Sequence, residues 1–319
     1  MEYIQLGKSG LDVSRICFGT WQFGGDWGSV ERDDAIAAVR AALDQGITFF
    51  DTAQAYGFGD SEALLAEGLS DDIHRDDVVV ATKGGLRRVG GDVQRDASPE
   101  FLREGVEQSL GHLGVDAIDL YQVHWPDRDT PFEETGAALK ELKDEGKIRH
   151  VGVSNFSPAE MDALSGTIEV ETDQPPFNLF NRGIEEDVLP YCREQDIGLL
   201  VYGPLSHGLL SGSFDPAKLA DDDWRRGHEP FAGENLERNL GVVARLEEFA
   251  EQRGHTLPQL AVAWVLAQPG VHVAITGARR PAHIEGIAPA ADIQLSADDL
   301  AQIDELTGAG KAWGLTPEG

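Results

Sequence analysis

The sequence predicts an α/β protein: one domain over residues 1–319, built as a (β/α)8 TIM barrel with an N-terminal β-hairpin and a C-terminal helical extension. Short β-branched or apolar runs alternate with helical patterns eight times in about 270 residues. Such alternation implies parallel strands joined by crossover helices. No shift of composition marks an internal boundary, and eight units at this length suit a closed barrel better than an open doubly wound sheet.

The elements follow in order. Residues 3–13, with Gly7 and Gly10 around the turn, read as a hairpin closing the bottom of the barrel. Residues 15–19 form the first strand and 32–45 the first helix, with apolar positions Ile36, Val39, Ala42 and Leu43 at helical spacing. Gly46 ends that helix, as a glycine just past a helix C-terminus does. Strand 48–50 precedes helix 61–69, strand 78–82 precedes helix 99–113, and strand 117–123 precedes helix 132–145. Strand 150–153 is followed by helix 158–164, and strand 172–174 by helix 186–195. Strand 197–202 leads to helices at 236–253 and 258–267, and the last strand, 271–275, to helix 282–287. The irregular stretch 203–234 is too long for a plain connector and is a candidate functional loop.

Composition narrows the class. Hydrophobic residues make up 41% of the chain, enough for a large core. No run reaches the roughly 18 apolar residues of a membrane span. The N-terminus lacks a basic segment followed by an apolar one. Cys17 and Cys192 have neither metal-ligand spacing nor a disulfide framework. A cytoplasmic protein is expected, with nothing that demands more than a monomer. Fifty-six acidic residues against 26 basic ones give a net charge of −30, with acids spread along the chain. That pattern fits a hydrated acidic surface suited to high salt, where the Debye length falls to about 3 Å at 1 M. It disfavours nucleic acid as a partner. It also requires any bound phosphate to find its own local cations.

In a barrel of this type the active site lies at the C-terminal ends of the strands. The polar residues ending the predicted strands are Thr20-Trp21, Asp51, Lys83, His124, Ser154-Asn155, Gln174, Tyr202 and Gly277. Asp51 and Lys83, one strand apart, can neutralise each other and so relieve the desolvation that each suffers. Alone, that is a structural ion pair. Tyr56 changes the reading, because a phenol starts near pKa 10 and a neighbouring ammonium favours phenolate. A tyrosine tuned in this way can donate and recover a proton, as general acid/base catalysis requires. His124 is placed to hydrogen-bond a substrate oxygen.

At this point the residues match a family. Asp51-Thr-Ala-x-x-Tyr56-Gly, the strand-ending Lys83, His124 and Gly152-Val-Ser-Asn-Phe156 together resemble the aldo-keto reductases. The resemblance runs from about residue 3 to about residue 306. Gln122-Val-His-Trp-Pro-Asp127, Gly146-Lys-Ile-Arg149 and Asp223-Trp-Arg-Arg226 look most like the bacterial and archaeal general-stress branch.

The resemblance implies an enzyme that binds a nicotinamide cofactor without a Rossmann domain, and no G-x-G-x-x-G fingerprint occurs here. It implies a catalytic tetrad of Asp51, Tyr56, Lys83 and His124, in which Tyr56 gives a proton to a carbonyl oxygen. Lys83 lowers the pKa of the tyrosine, Asp51 holds Lys83, and His124 orients the carbonyl. Ser154, Asn155 and Gln174 are expected at the carboxamide, Tyr202 beneath the nicotinamide ring, and Thr20, Trp21 and Asp51 in the same groove. Gly203, Pro204, Leu205 and Ser206 are expected at the pyrophosphate. Gly277, Arg279 and Arg280 are expected at an adenosine 2′-phosphate, which makes NADP(H) the preferred cofactor and NAD(H) the second.

Three departures bear on the adenosine end. Gly286-Ile287 stand where Glu-Asn is frequent, Gly212-Ser213 replace Gly-Lys, and His283 replaces Arg or Gln. Arg225 and Arg226 are candidates to supplement the grip. The substrate pocket is expected around Trp21, Tyr56, His124 and Trp125, with Phe23, Trp27 and Phe58 as further aromatics. No cationic cluster besides the cofactor arginines announces a charged substrate. The activity implied is NADPH-dependent reduction of an aldehyde, ketone or sugar-like carbonyl. The alternatives are an NAD(P)-dependent sugar or polyol dehydrogenase and a cofactor-sensing regulatory subunit. A metal hydrolase is disfavoured because the nine histidines form no His-x-His cluster.

Overall fold

A computed structural model describes residues 1–25, 30–220 and 223–308. Strands β1 (Tyr3–Gln5) and β2 (Asp12–Ser14) pair antiparallel as the expected hairpin. At the start of its turn Gly7 has φ +51°, and a Cβ there would lie 2.4 Å from the backbone nitrogen of Gly198. Only glycine lets the hairpin press so closely against the barrel.

The chain continues through β3 (Ile16–Gly19), α1 (Arg32–Asp44), β4 (Phe49–Asp51), α2 (Asp60–Leu69) and β5 (Val79–Gly84). A second hairpin, β6 (Leu86–Val89) and β7 (Asp92–Arg95), leaves the top of β5 before α3 (Pro99–Leu113). Then come β8 (Ile118–Val123), α4 (Phe132–Asp144), β9 (Ile148–Ser154), α5 (Pro158–Ser165) and β10 (Thr172–Gln174). The last part holds α6 (Val188–Glu194), β11 (Gly198–Tyr202), α7 (Gly233–Glu251), α8 (Leu257–Leu266), β12 (Val273–Gly277), α9 (Pro281–Ile287) and α10 (Ala297–Thr307). Several helices start on sequence-encoded caps: Ser157 with Glu160, Thr256 with Gln259 and Ser296 with Asp299 each form a capping box.

Strands β3, β4, β5, β8, β9, β10, β11 and β12 pair in parallel in that order, and β12 closes on β3. The fold is the (β/α)8 barrel that the alternation predicts. Closure sends alternate side chains inward and outward. Cys17, Phe49, Val79, Ala81, Leu120, Leu200, Val273 and Ile275 pack the interior over Leu6 and Val13 of the N-terminal hairpin. Phe18, Phe50, Val80, Tyr121 and Val123 belong instead to the layer shared with the helices. The inward parity continues upward from Phe49 to Asp51, Ala81 to Lys83, Leu120 to Gln122 and Leu200 to Tyr202. One alternation thus fills the lower barrel with apolar groups and delivers polar ones to its mouth.

One boundary and one element differ from expectation in a way that matters. β5 extends to Gly84 because β8 still offers partners, Lys83 lying opposite Gln122 and Gly84 opposite Val123. Lys83 is therefore inside the strand, not beyond it. The hairpin β6–β7 was not foreseen, since eight mostly polar and exposed residues carry little apolar alternation. Among the described residues no helix is long and apolar enough to cross a membrane.

Candidate active site

Four polar side chains meet at the upper end of the barrel interior. Asp51, at the end of β4, accepts from Lys83 Nζ at 2.5 Å through Oδ1. Its Oδ2 accepts from the amides of Gln174 at 2.9 Å and Gln122 at 3.3 Å. Lys83 also donates to the carbonyl of Thr52 at 2.9 Å. The Lys83 ammonium lies 5.1 Å from the centroid of the Tyr56 ring. His124 crosses the Tyr56 ring edge-on, with centroids 5.7 Å apart.

Local backbone places the tyrosine. Its N–H donates to Ala53 and its carbonyl accepts from Ser61, so the turn after β4 curls Tyr56 back over the strand ends. Gly24 backs it closely: a Cβ there would lie 2.9 Å from the Tyr56 Cα. Trp21 lies beside the ring at 6.3 Å, inclined by 24°.

Burial sets the charges. Lys83 is 1% exposed and Asp51 3%. Desolvation pulls the lysine's pKa down, but the charges of Asp51 and Tyr56 and their hydrogen bonds outweigh it, so it is held above the ordinary lysine value. His124 is pushed well below the ordinary imidazole value, first by burial and then by the Lys83 charge. Its ring is therefore neutral at physiological pH, and its Nδ1 has no hydrogen-bond partner among the described residues. Burial also pushes the Cys17 thiol well up, with the Asp51 charge adding to it, which leaves it an inert packing group.

Above these groups opens a cavity of about 1030 Å³. Thr20, Trp21, Asp51, Ser154, Asn155, Gln174, Tyr202, Gly203, Pro204, Leu205, Gly277 and Arg279 all line it, as do Tyr56, His124, Trp125 and Phe58. Ser206 and Arg280 do not: Ser206 is buried with its N–H on Gly203, and Arg280 is exposed. Arg225 lines the cavity, whereas Arg226 bonds the carbonyls of Leu219 and Ala220 outside it. Phe23 packs in the core against Phe18, with centroids 6.0 Å apart, so it is not part of the pocket wall. Trp27 lies outside the described residues. The departures Gly212, Ser213, His283, Gly286 and Ile287 are all in the lining.

The lining fits a nicotinamide dinucleotide. Ser154 Oγ donates to the Gln174 carbonyl, Asn155 Nδ2 to Ser154 Oγ and the His124 carbonyl, and the Tyr202 hydroxyl to Asn155 Oδ1. These bonds hold one amide and two hydroxyls in fixed directions, and Asp51 holds the Gln174 amide beside them, a surface suited to a carboxamide. Ser206, His207 and Gly208 are consecutive left-handed residues; the N–H groups of Ser206 and Gly208 are taken by the carbonyls of Gly203 and Leu205, and of the three His207 and Gly208 line the cavity. Arg279 is pushed below the ordinary guanidinium value, first by burial and then by repulsion from Arg225 and Arg280. A phosphate relieves such crowding of like charge.

Sequence reasoning passed over several lining residues. His207, half-buried and with φ +51°, sits edge-on to both Trp21 and Trp224. Burial, with the charges of Arg225 and His228, pushes it down to about 4. Residues 255–259, at the capped start of α8, and Glu247 and Glu251 of α7 also line the cavity. Gln122 was visible only as part of a motif and not as a partner of Asp51. The hairpin residues Leu86, Arg88 and Val93 also line the cavity, and the turn signal available for them was Gly90-Gly91, both at positive φ.

Comparison with known proteins agrees with this geometry. A family model described as the aldo/keto reductase family matches residues 15–307. Aldo-keto reductase YhdN of Bacillus subtilis (strain 168) is 42% identical over 309 residues, covering 96% of this chain and 93% of that protein. The NADH-specific methylglyoxal reductase of Escherichia coli (strain K12) is 34% identical over 325 residues, covering 97% and 99%. Among solved structures, the glycerol dehydrogenase AKR11B4 from Gluconobacter oxydans matches with a TM-score of 0.87 at 39% identity, over 97% of this chain and 95% of that one.

Proposed function

The chain belongs to the aldo/keto reductase family of NAD(P)H-dependent oxidoreductases that act on carbonyls, and from that premise we propose that it reduces an aldehyde, ketone or sugar-like carbonyl with NADPH, Tyr56 being the proton donor. The observation that carries this reading is the Tyr56 side chain held against the sealed Lys83–Asp51 pair at the floor of a dinucleotide-sized cavity.

When bound, a reduced nicotinamide supplies the hydride that reaches the carbonyl carbon. Tyr56 passes its hydroxyl proton to the carbonyl oxygen as charge develops there. Lys83 stabilises the phenolate left behind, and Asp51 with its two amides holds the ammonium in place. Neutral His124 gives an N–H to the carbonyl oxygen and fixes its direction. Trp21, Phe58 and Trp125 exclude water from the reacting atoms. In the oxidative direction Tyr56 accepts the proton instead.

Arg279, backed by Arg225, favours a 2′-phosphate and hence NADPH. A second reading, NAD(H) use, has one observation in its favour: Glu247 and Glu251 stand in the same lining. A carboxylate there accepts from a ribose hydroxyl and repels a phosphate. Absorbance at the nicotinamide band, with NADPH and NADH over aldehydes, ketones and sugars in molar salt, tests both readings. Cofactor binding without turnover of any carbonyl or alcohol overturns the proposed activity.

A further inference from the structure

The hairpin β6–β7 turns one face toward the cavity. Its register pairs Leu86 with Arg95, Arg87 with Gln94 and Arg88 with Val93. Paired residues share a face and neighbours alternate. Leu86, Arg88 and Val93 line the cavity, so their face, which includes Arg95, looks onto the barrel mouth. Arg88 stacks 4.2 Å from the centroid of Phe58, and Arg95 stacks 4.9 Å from that of Trp125. Both rings line the cavity, and they follow the reacting residues Tyr56 and His124 closely in the chain.

The two faces of the hairpin are paired differently. On the outer face Arg87 meets Asp96 at 2.7 Å. On the inner face neither Arg88 nor Arg95 has a carboxylate partner among the described residues; Arg95 has only the Pro126 carbonyl at 3.4 Å besides its ring. This happens in a chain where 56 acids surround 26 bases, so chance pairing would favour neutralisation. Of the carboxylates lining the cavity, Asp51 is taken by Lys83, and Glu247 and Glu251 belong to α7. A guanidinium stacked on a ring keeps its in-plane N–H fork open, and that fork matches a carboxylate or phosphate.

We propose that the substrate carries an anionic group, carboxylate or phosphate, a short chain away from its carbonyl, and that Arg88 selects for it with Arg95 in support. The inference rests on the reading of this cavity as a carbonyl-reducing site. It revises the expectation that no cation outside the cofactor site announces a charged substrate.

The test compares anionic and neutral aldehydes of matched length with the cofactor-loaded enzyme: succinic semialdehyde against butanal for a carboxylate, and glyceraldehyde phosphate against glyceraldehyde for a phosphate. The wild type is expected to prefer at least one anionic member in kcat/KM. Arg88→Gln, at an exposed position that leaves the fold intact, is expected to lose about 10- to 100-fold on that substrate, as removal of a charge-assisted contact does, mostly in KM. Its neutral partner should change less than about twofold. Arg88→Lys should fall between the two, since it keeps the charge without the fork. Whichever pair shows the preference identifies the anion. Equal losses on both members of a pair would mean that Arg88 only pins the hairpin, and would overturn the inference. So would turnover of the neutral aldehydes with no preference for the anionic ones, which leaves the reductase reading standing. Turnover of neither kind overturns both.

Discussion

Lys83 and Asp51 form an ion pair of 2.5 Å with 1% and 4% of their side chains exposed. A pair so enclosed is costly to break from one side, because the surviving charge has neither water nor partner. Asp51→Asn is therefore expected to lower stability by about 3–5 kcal/mol and to abolish turnover. The double variant Asp51→Asn, Lys83→Met should recover part of the stability but none of the activity. Denaturant unfolding of the three proteins checks this. The lysine's raised pKa adds a pH signature: its contribution is complete below the unfolded value of about 10.4 and is lost as pH rises through the higher folded value.

Tyr56→Phe retains the ring that packs against Trp21 and His124 while removing the proton. We expect kcat to fall by about 10²- to 10⁴-fold or more, with cofactor affinity nearly unchanged in a fluorescence titration. Wild-type turnover in this variant would exclude Tyr56 as the donor.

His124 is held neutral by burial and by the Lys83 charge. The pH profile of kcat/KM should then show no acidic limb from this residue between pH 5 and 8, and its ring signals in NMR should not titrate there. Removal of the ring in His124→Ala should lower kcat without creating such a limb. A titration near pH 6.5 would show that the imidazole is open to solvent.

Asp173 on β10 points away from the barrel interior and is fully buried, with no side-chain or ionic partner among the described residues and only weak approaches of the Gln174 and Phe156 backbone. Burial pushes its carboxyl well above the ordinary range. A folded pKa above the unfolded one gives stability that is complete below about pH 3.9 and is lost as pH rises through the folded value. Asp173→Asn should therefore gain on the wild type as pH increases from about 4 upward, read by urea unfolding at several pH values. A difference that does not vary with pH would place the group's ionisation equally in both states.

Arg279→Ala is expected to weaken NADPH more than NADH, shifting the ratio of KM values by about tenfold, since a bidentate phosphate contact is lost. Arg280→Ala, outside the cavity, should change that ratio little. An unchanged ratio in Arg279→Ala would move the 2′-phosphate contact elsewhere.

The barrel and the residues at its mouth are legible in the order of amino acids. Both are local properties: strand alternation has period two, so Asp51 after Phe49 and Lys83 after Ala81 face inward wherever a closed parallel sheet forms. Capping boxes and glycine stops encode the helix boundaries in the same near-neighbour fashion. Which groups meet across the ring of strands depends on how the sheet closes. Gln122 and Gln174 reach one oxygen of Asp51 from strands far apart in the chain, and His207 wedges between Trp21 and Trp224. Arg280 was read with Arg279, yet only Arg279 turns into the cavity, while Arg225 joins it from a distant loop. The hairpin carrying Arg88 shows the division most plainly. Its short polar strands have little burial to specify them, and only closure of the barrel brings Arg88 onto Phe58. Near-neighbour periodicity is written residue by residue, whereas the partners of a long polar side chain depend on where the whole sheet closes.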